Sequence, residues 1–278
     1  MRNPGWFRQM LLQFSLCVIC GLVLYPVLWV LKMALTPSQS FALGGGLWMD
    51  SVSWSNFSAL LFSGDGLFFR QLFNSVVVSG ATTVVGVALA TTAAYAFSRF
   101  EFWGRRQALA SFLVTQMFPG VVMAIPLYIL LDTLSLLNSL VGLVFVYSTT
   151  SVPFCVWMMK GYFDTIPKDL EEAALMDGAT RWQIFWTVVL PLAKPAIVVT
   201  ALFSFMTAWN EFILAATFLS DERMFTLPVV LQRYVGDYST EWGYFAAGAV
   251  IVSLPVMALF FALQRFLIGG LTAGAVKG

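Results

Sequence analysis

Residues 162–195 read YFDTIPKDLEEAALMDGATRWQIFWTVVLPLAKP. Pro167 suits the first turn of a helix, where its missing N–H is not needed. Asp169, Glu171 and Glu172 follow, where negative charge meets the positive end of the helix dipole. Gly178 ends that helix, because glycine takes a left-handed cap conformation without Cβ strain. A second helix is expected from about Thr180 to Val189, carrying Trp182, Phe185 and Trp186, with Pro191 and Pro195 closing it. The segment is thus a helix–glycine–helix elbow, apolar on one side. Such a surface either lies on a bilayer as an amphipathic helix or docks against a partner.

The sequence on either side of the elbow sets its surroundings. Of 278 residues, 59% are hydrophobic and only 10% charged, with mean hydropathy +0.83. Soluble domains carry about 25% charged residues, so a soluble enzyme, a disordered chain and a basic-patch nucleic-acid binder are all excluded. A spanning helix needs about 20 apolar residues. Six stretches meet that length: Met10–Leu35, Gln71–Phe97, Ala108–Leu131, Leu137–Met159, Ala196–Leu219 and Tyr244–Ile268. The expected fold class is therefore an all-α polytopic membrane protein with six transmembrane helices.

Lysine and arginine orient these spans. With the N-terminus in the cytoplasm, Arg2, Arg8, Arg99, Arg105, Arg106, Lys160, Lys168, Arg181, Lys194, Arg265 and Lys277 fall inside, eleven of the fifteen basic residues. Only Lys32, Arg70, Arg223 and Arg233 fall outside. The positive-inside rule then places both termini and the elbow in the cytoplasm. The first apolar run exceeds 20 residues and lacks an A-x-A site, which reads as an uncleaved helix rather than a signal peptide. Residues 36–70 form an external segment with Gly44–Gly46, Trp48, Trp54 and Phe57, and a short interfacial helix is expected over Asn56–Phe62. Three parts follow: 1–70 (first helix and external segment), 71–268 (a five-helix core with the elbow loop 161–195 and an external loop 220–243) and a cytoplasmic tail, 269–278.

Several chemistries are absent. With no histidine, neither a Ser-His-Asp triad nor a His-based metal site can be built, and no catalytic or metal-ligating residue is assigned. Cys17, Cys20 and Cys155 lie in apolar runs and read as small buried hydrophobes rather than as a redox pair. No Walker A motif is present, so the chain is not expected to hydrolyse nucleotide.

Glu172-Ala173-Ala174, then Gly178, then nine residues, then Val188-x-Leu190-Pro191 resembles the EAA loop of the permease subunits of binding-protein-dependent ABC importers. The usual isoleucine is replaced by Val188. Asn74-Ser75, the run Ala93–Arg99 (AAYAFSR), Gln116–Pro119 (QMFP) and Trp209–Phe212 (WNEF) are similar to the carbohydrate-uptake branch. The ending Gly270–Gly278 (GLTAGAVKG) resembles the tail of the smaller permease subunit of maltose importers, a subunit that also has six spans.

The resemblance implies the type I ABC importer permease fold in a bacterial inner membrane. It implies a second permease subunit, two ATPase subunits and an external sugar-binding protein as partners. ATP and magnesium would belong to the ATPases and no cofactor to this chain. The substrate would be maltose, maltodextrin or a related oligosaccharide such as trehalose. Glu172, Ala173, Ala174, Asp177, Gly178, Val188, Leu190 and Pro191 would couple to the ATPase, and Leu271, Thr272, Ala273, Gly274 and Lys277 would contact it through the tail. Tyr234, Gly236, Asp237 and Tyr238 occupy the place of a loop that enters the binding protein's sugar cleft, although composition alone reads there as a solvated loop with interfacial tyrosines. The tail, by composition alone, is a frayed end.

Four polar residues within the spans remain open between readings. Glu211 is a sugar-hydroxyl acceptor, a proton carrier or a helix–helix hydrogen-bonding group, with Asn210 beside it. Thr149 and Ser151 either line a path for an uncharged polyol or join helices. The rival function is an ion-coupled secondary sugar transporter, which needs coupling-ion sites at broken helices and an inverted repeat.

Overall fold

Apolar stretches with no water available satisfy their backbone polar groups internally, as helices. The computed structural model describes residues 6–41, 51–62, 66–236 and 240–275, with the side chains of 267–275 outside the description. The chain order is α1 (Trp6–Leu35), α2 (Ser55–Phe62), α3 (Leu67–Arg99), α4 (Arg105–Met117), α5 (Gly120–Thr133), α6 (Leu140–Phe163), α7 (Asp169–Met176) and α8 (Arg181–Ile184). A π-helical turn (Phe185–Val189) leads to α9 (Leu190–Leu192), then α10 (Lys194–Trp209), α11 (Ile213–Phe218), α12 (Leu227–Arg233) and α13 (Trp242–Ala275). Among the described residues, α1, α3, α6 and α13 (as far as Phe266) are single helices long and apolar enough to cross a membrane. Two bent pairs raise the number to as many as six: α4 with α5, bent by 104°, and Arg181–Leu192 with α10, bent by 77°.

The third expected span is therefore bent, and the fifth is interrupted at a separate place. The third turns at Phe118, whose extended backbone (φ −76°, ψ 126°) is the conformation a following proline imposes. The fifth stops at Trp209 and resumes at Ile213, leaving Asn210–Phe212 as a break. Hydropathy registers apolar length but not direction, so both breaks were invisible to it. The elbow's second helix also runs past its expected end. Pro191 lies within Arg181–Leu192, and Leu190 N–H reaches back to Phe185 O in the wider π spacing before it. A π turn loosens the ladder just ahead of a proline that cannot donate to it.

Two compact units make up the chain. The first comprises Met1–Phe69 and Val230–Pro255. Asn56, expected on an interfacial helix, is instead its polar hub, 2% exposed. Its side-chain amide donates to Ala34 O (3.1 Å) and Thr36 O (2.8 Å) and accepts from Gln39 Nε2 (2.9 Å). Gln39 in turn accepts from Tyr244 N–H at 3.1 Å. Helix α1 is exposed along nearly all its length, with Ala34 its one buried residue. Cys17 and Cys20 are exposed on it, contrary to the expectation of burial, and only Cys155 is buried. A helix apolar on every side is surrounded by lipid or by other chains.

The second unit comprises Arg70–Val229 and Val256–Gly278. Its core rests on small residues spaced four apart: Thr82, Gly86, Ala90 and Ala94 on α3; Ser151 and Cys155 on α6; Thr200, Ser204 and Ala208 on α10. A side chain on Gly86 would stand 3.0 Å from Ser151 Oγ and 3.4 Å from Ser204 Oγ. Small residues at that spacing let membrane helices approach closely, which is how helices pack where lipid offers no hydrophobic driving force.

Candidate functional site

The elbow is set by local chemistry. Helix α7 ends in a Schellman arrangement, with Gly178 N–H bonding Leu175 O and Ala179 N–H bonding Ala174 O, both at 3.0 Å. Gly178 has φ +83°, the left-handed conformation this motif requires. Thr180 then caps α8: Gln183 N–H donates to its hydroxyl (3.3 Å) while Gln183 Oε1 accepts from Thr180 N–H (2.7 Å). This is a capping box, readable in the sequence as T-x-x-Q.

What fastens the elbow is a buried ion pair. Glu171 is 8% exposed, and its carboxylate accepts from Arg99 Nε and from Tyr95 Oη, the latter at 2.9 Å. Arg99 also donates to Ile166 O at 3.0 Å. Tyr95 and Arg99 lie one turn apart at the end of α3, so one helix end grips the elbow at two points. Beside them Ser98 Oγ donates to Asp164 Oδ1 and Lys160 Nζ to Asp164 Oδ2, both at 2.6 Å. Burial pushes the Asp164 carboxyl up, but the hydrogen bonds from Lys160 and Ser98 outweigh it and hold the group below the usual carboxylate range. The contact is therefore complete at neutral pH and is lost only as pH falls through that lowered value. Apolar packing completes the anchor: Ala94, Tyr95, Met159, Phe163, Ile184, Phe185 and Val189 share one core, with the Tyr95 and Phe185 rings 4.9 Å apart.

With that core fixed, much of the elbow's surface is left open. Glu172, Ala173, Asp177, Gly178 and Pro191 are exposed, while Ala174, Val188 and Leu190 are half-buried. Around them Met176 is 89%, Trp182 64% and Trp186 55% exposed. Of the eight residues expected to couple, five are thus exposed, and Ala174, Val188 and Leu190 pack against the core that Tyr95 and Phe185 share. The sequence does not identify Tyr95, Arg99 and Glu171 as the anchor; the available signal was a charged pair at helix ends next to a loop.

At the break in the fifth apolar stretch, Glu211 Oε2 accepts from Tyr147 Oη (2.8 Å) and Ala215 N–H (3.1 Å), and Oε1 accepts from Leu214 N–H (2.9 Å). The carboxylate thus ties α6 to the first turn of α11. Asn210 is exposed and its amide donates to Met206 O at 2.9 Å. Thr149 is exposed, and its hydroxyl turns back to Val146 O at 2.7 Å. Ser151 is buried against Gly86.

At the other end of the second unit, the polar residues of α3 hold the segment after α11. Gln71 Nε2 donates to Glu222 O (3.0 Å), and Asn74 Nδ2 to Arg223 O (2.9 Å) and Phe225 O (3.1 Å). Ser75 Oγ accepts from Leu227 N–H at 2.7 Å. In the first unit, Tyr234 is half-buried beside Tyr244, ring centroids 5.9 Å apart, and burial followed by Glu241 pushes its hydroxyl pKa up. Val235 and Thr240 form an antiparallel bridge, and Gly236 is exposed. Asp237 and Tyr238 lie outside the described residues. So does Lys277, whereas the backbone of Leu271, Thr272, Ala273 and Gly274 continues α13 as helix instead of leaving it as a loose end. Among the described residues no group of three or more Cys, Asp or Glu could hold a metal ion.

Comparison with known proteins adds to this geometry. Residues 82–272 match the family model of the binding-protein-dependent transport system inner membrane component. The maltose/maltodextrin transport system permease protein MalG of Yersinia pestis is 39% identical over 297 residues, covering 100% of this chain and 97% of its own length. The trehalose transport system permease protein SugB of Mycobacterium tuberculosis is 36% identical over 263 residues, covering 94% and 95%. Among solved structures, a chain of a bacterial ABC transporter involved in import of the acidic polysaccharide alginate superposes with TM-score 0.81 at 23% identity, covering 96% of this chain and 100% of that one. A chain of the MetNI methionine ABC transporter does so with TM-score 0.60 at 19% identity, covering 77% and 97%. Those two show the fold alone. The chain belongs to the family of binding-protein-dependent transport system inner membrane components and is a MalG-type, multi-pass permease subunit of an ABC importer.

Proposed function

We propose that this chain is one permease subunit of an ATP-driven importer of maltose, maltodextrin or a related oligosaccharide such as trehalose. It would act with a second, MalF-like permease, two MalK-like ATPase subunits and an external sugar-binding protein. The chain crosses the bacterial inner membrane six times, with α4–α5 and α10–α11 as broken spans and both termini in the cytoplasm. The observation that carries this reading is the elbow: locked to α3 through Glu171, Arg99 and Tyr95, it still exposes Met176, Trp182 and Trp186. A rigid lever with an open apolar face suits the transmission of motion from a docked subunit. Ala173, Ala174, Val188, Leu190 and Pro191 shape that face, and Glu172, Asp177 and Gly178 form its rim.

ATPase closure would pull the elbow and, through α3, the core helices. Moving the pathway from 1:99 to 99:1 outward-facing takes about 5.5 kcal/mol of differential binding, more than a few sugar hydroxyl contacts supply. The three parts keep separate tasks: 1–70 as outer helix and external segment, 71–268 as translocating core, and 269–278 as a tail reaching the ATPase pair through Leu271–Gly274 and Lys277. The loop with Tyr234, Gly236, Asp237 and Tyr238 faces the binding protein. The experiment is affinity purification of the tagged chain with its neighbouring subunits. An ATPase that co-purifies and hydrolyses ATP faster with sugar-loaded binding protein is the expected result; an isolated chain that transports on an ion gradient would refute it.

Glu211 bears on the ion-coupled alternative. Its carboxylate already accepts three hydrogen bonds from Tyr147, Leu214 and Ala215, which supports a role in holding the broken span over one in carrying protons. Glu211→Gln keeps an acceptor for part of this set and is expected to retain most transport. Glu211→Leu strands donors at about 1–3 kcal/mol each and is expected to lower transport at least tenfold. Uptake assays with and without a protonophore check this; sensitivity to the protonophore that vanishes in Glu211→Gln would favour the ion-coupled reading. Asn210, Thr149 and Ser151 then belong to the path or gate only through the helices they position.

A further inference from the structure

A second polar feature lies at the α3–α4 turn. A cleft of about 560 Å³ is lined by Glu101, Phe102, Arg105, Arg106, Gln107 and Lys160. Among the described residues Arg105 and Arg106 form no ion pair or hydrogen bond through their side chains. Lys160 faces the same cleft while holding Asp164 at 2.6 Å. With Lys160 paired to Asp164, Arg105 and Arg106 against Glu101 leave the cleft positive. Between the lining residues Phe102 and Gly104 in the chain, Trp103 is 98% exposed, and Phe102 is half-exposed, with the Phe102 ring 5.6 Å from Phe97. Exposed aromatics beside unpaired arginines at the end of a spanning helix combine the two anchors of a membrane–water interface. The inner leaflet carries anionic lipid, to which basic groups at that level are drawn.

The geometry points to a binding site for the phosphate-bearing headgroup of an anionic phospholipid in the cytoplasmic leaflet, held by Arg105, Arg106 and Lys160 with Trp103 beside its glycerol backbone. This rests on the orientation given under Proposed function. The guanidinium groups of Arg105 and Arg106 suit bidentate contact with phosphate oxygens, and Trp103 presents an apolar body with a polar N–H to the headgroup layer. Free phosphate offers the same oxygens but leaves Trp103 and Phe102 in water, so the lipid is the better match to the whole surface. Because Lys160 also holds Asp164, a headgroup here sits one residue away from the contact that fastens the elbow to Ser98.

The test uses the whole importer, with its ATPases, in phosphatidylcholine proteoliposomes doped with photoactivatable phosphatidylglycerol or photoactivatable phosphatidylcholine. Crosslinked peptides are mapped by mass spectrometry, and bound ATPase is quantified on the same sample. The expected result is labelling of residues 100–109 by the phosphatidylglycerol probe at least fivefold above the phosphatidylcholine probe. Arg105→Gln with Arg106→Gln should remove that excess, and 10 mM inorganic phosphate should not compete. Equal labelling by both probes would overturn the site, as would competition by inorganic phosphate, which would mark it as a free-anion site. Labelling that appears only after the ATPases are stripped would make the cleft a protein contact and would also overturn it. Loss of the ATPase from the wild-type sample counts instead against the elbow reading, so the two failures are distinguishable.

Discussion

Glu171→Ala is expected to abolish sugar-driven transport while leaving the chain inserted in the membrane. Glu171 and Arg99 are both largely buried, with side-chain exposures of 11% and 5%. Removing one partner of a buried pair leaves the other charge uncompensated, at about 3–5 kcal/mol, and Tyr95 Oη loses its acceptor as well. Since about 1.4 kcal/mol is a tenfold change in an equilibrium, the elbow would leave its anchored position in a large share of molecules. ATP hydrolysis would then fall or run without sugar, and transport would drop by a factor of about a hundred. Arg99→Met combined with Glu171→Leu removes both charges together and is expected to recover part of the loss, because replacing a whole buried pair by apolar groups is often neutral or better. Parallel measurement of uptake and ATPase activity in proteoliposomes checks both variants. Wild-type coupled uptake by Glu171→Ala would show that the anchor does not transmit force.

The anchor also shows where sequence reading stops. Glu171 and Glu172 are adjacent in one acidic turn, and the motif draws attention to Glu172. Which of them turns inward depends on how α7 lies against α3, and its partner Arg99 is 72 residues away in sequence. Local features fared better because their causes are local. The left-handed Gly178, the start of the elbow's second helix at Thr180 and the long helices α1, α3, α6 and α13 all follow from residues within a few positions. Apolar content is blind to the direction of a helix axis, so the 104° bend at Pro119 and the break at Asn210–Phe212 had to come from the structure. The proline at 119 was a local hint of the first. The second is sustained by Tyr147, on α6, through its bond to Glu211. Ser151 shows the same limit: a hydroxyl in an apolar run reads as pathway or glue, and only the proximity of Gly86 places it between helices.

A graded series at Gly178 is expected to separate backbone geometry from surface contact. An added Cβ there meets no other atom within 4 Å, so the constraint is the φ of +83° alone. Gly178→Asn tolerates that conformation and should support near-normal coupled hydrolysis. Gly178→Ala would be strained by about 1–2 kcal/mol in the left-handed region and should lower it several-fold. Gly178→Pro fixes φ near −65° and deletes the N–H that bonds Leu175 O at 3.0 Å, together about 3 kcal/mol or more. That variant must break the turn, and with it the angle at which Glu172 and Trp182 present themselves to a docked ATPase. Transport should fall at least a hundredfold with membrane insertion intact. The readouts are ATPase co-purification, sugar-stimulated hydrolysis and uptake on the same preparations. The discriminating feature is the order, Asn above Ala above Pro. A surface-contact role would make Asn, the bulkiest of the open-chain replacements, worse than Ala; a left-handed hinge makes it better.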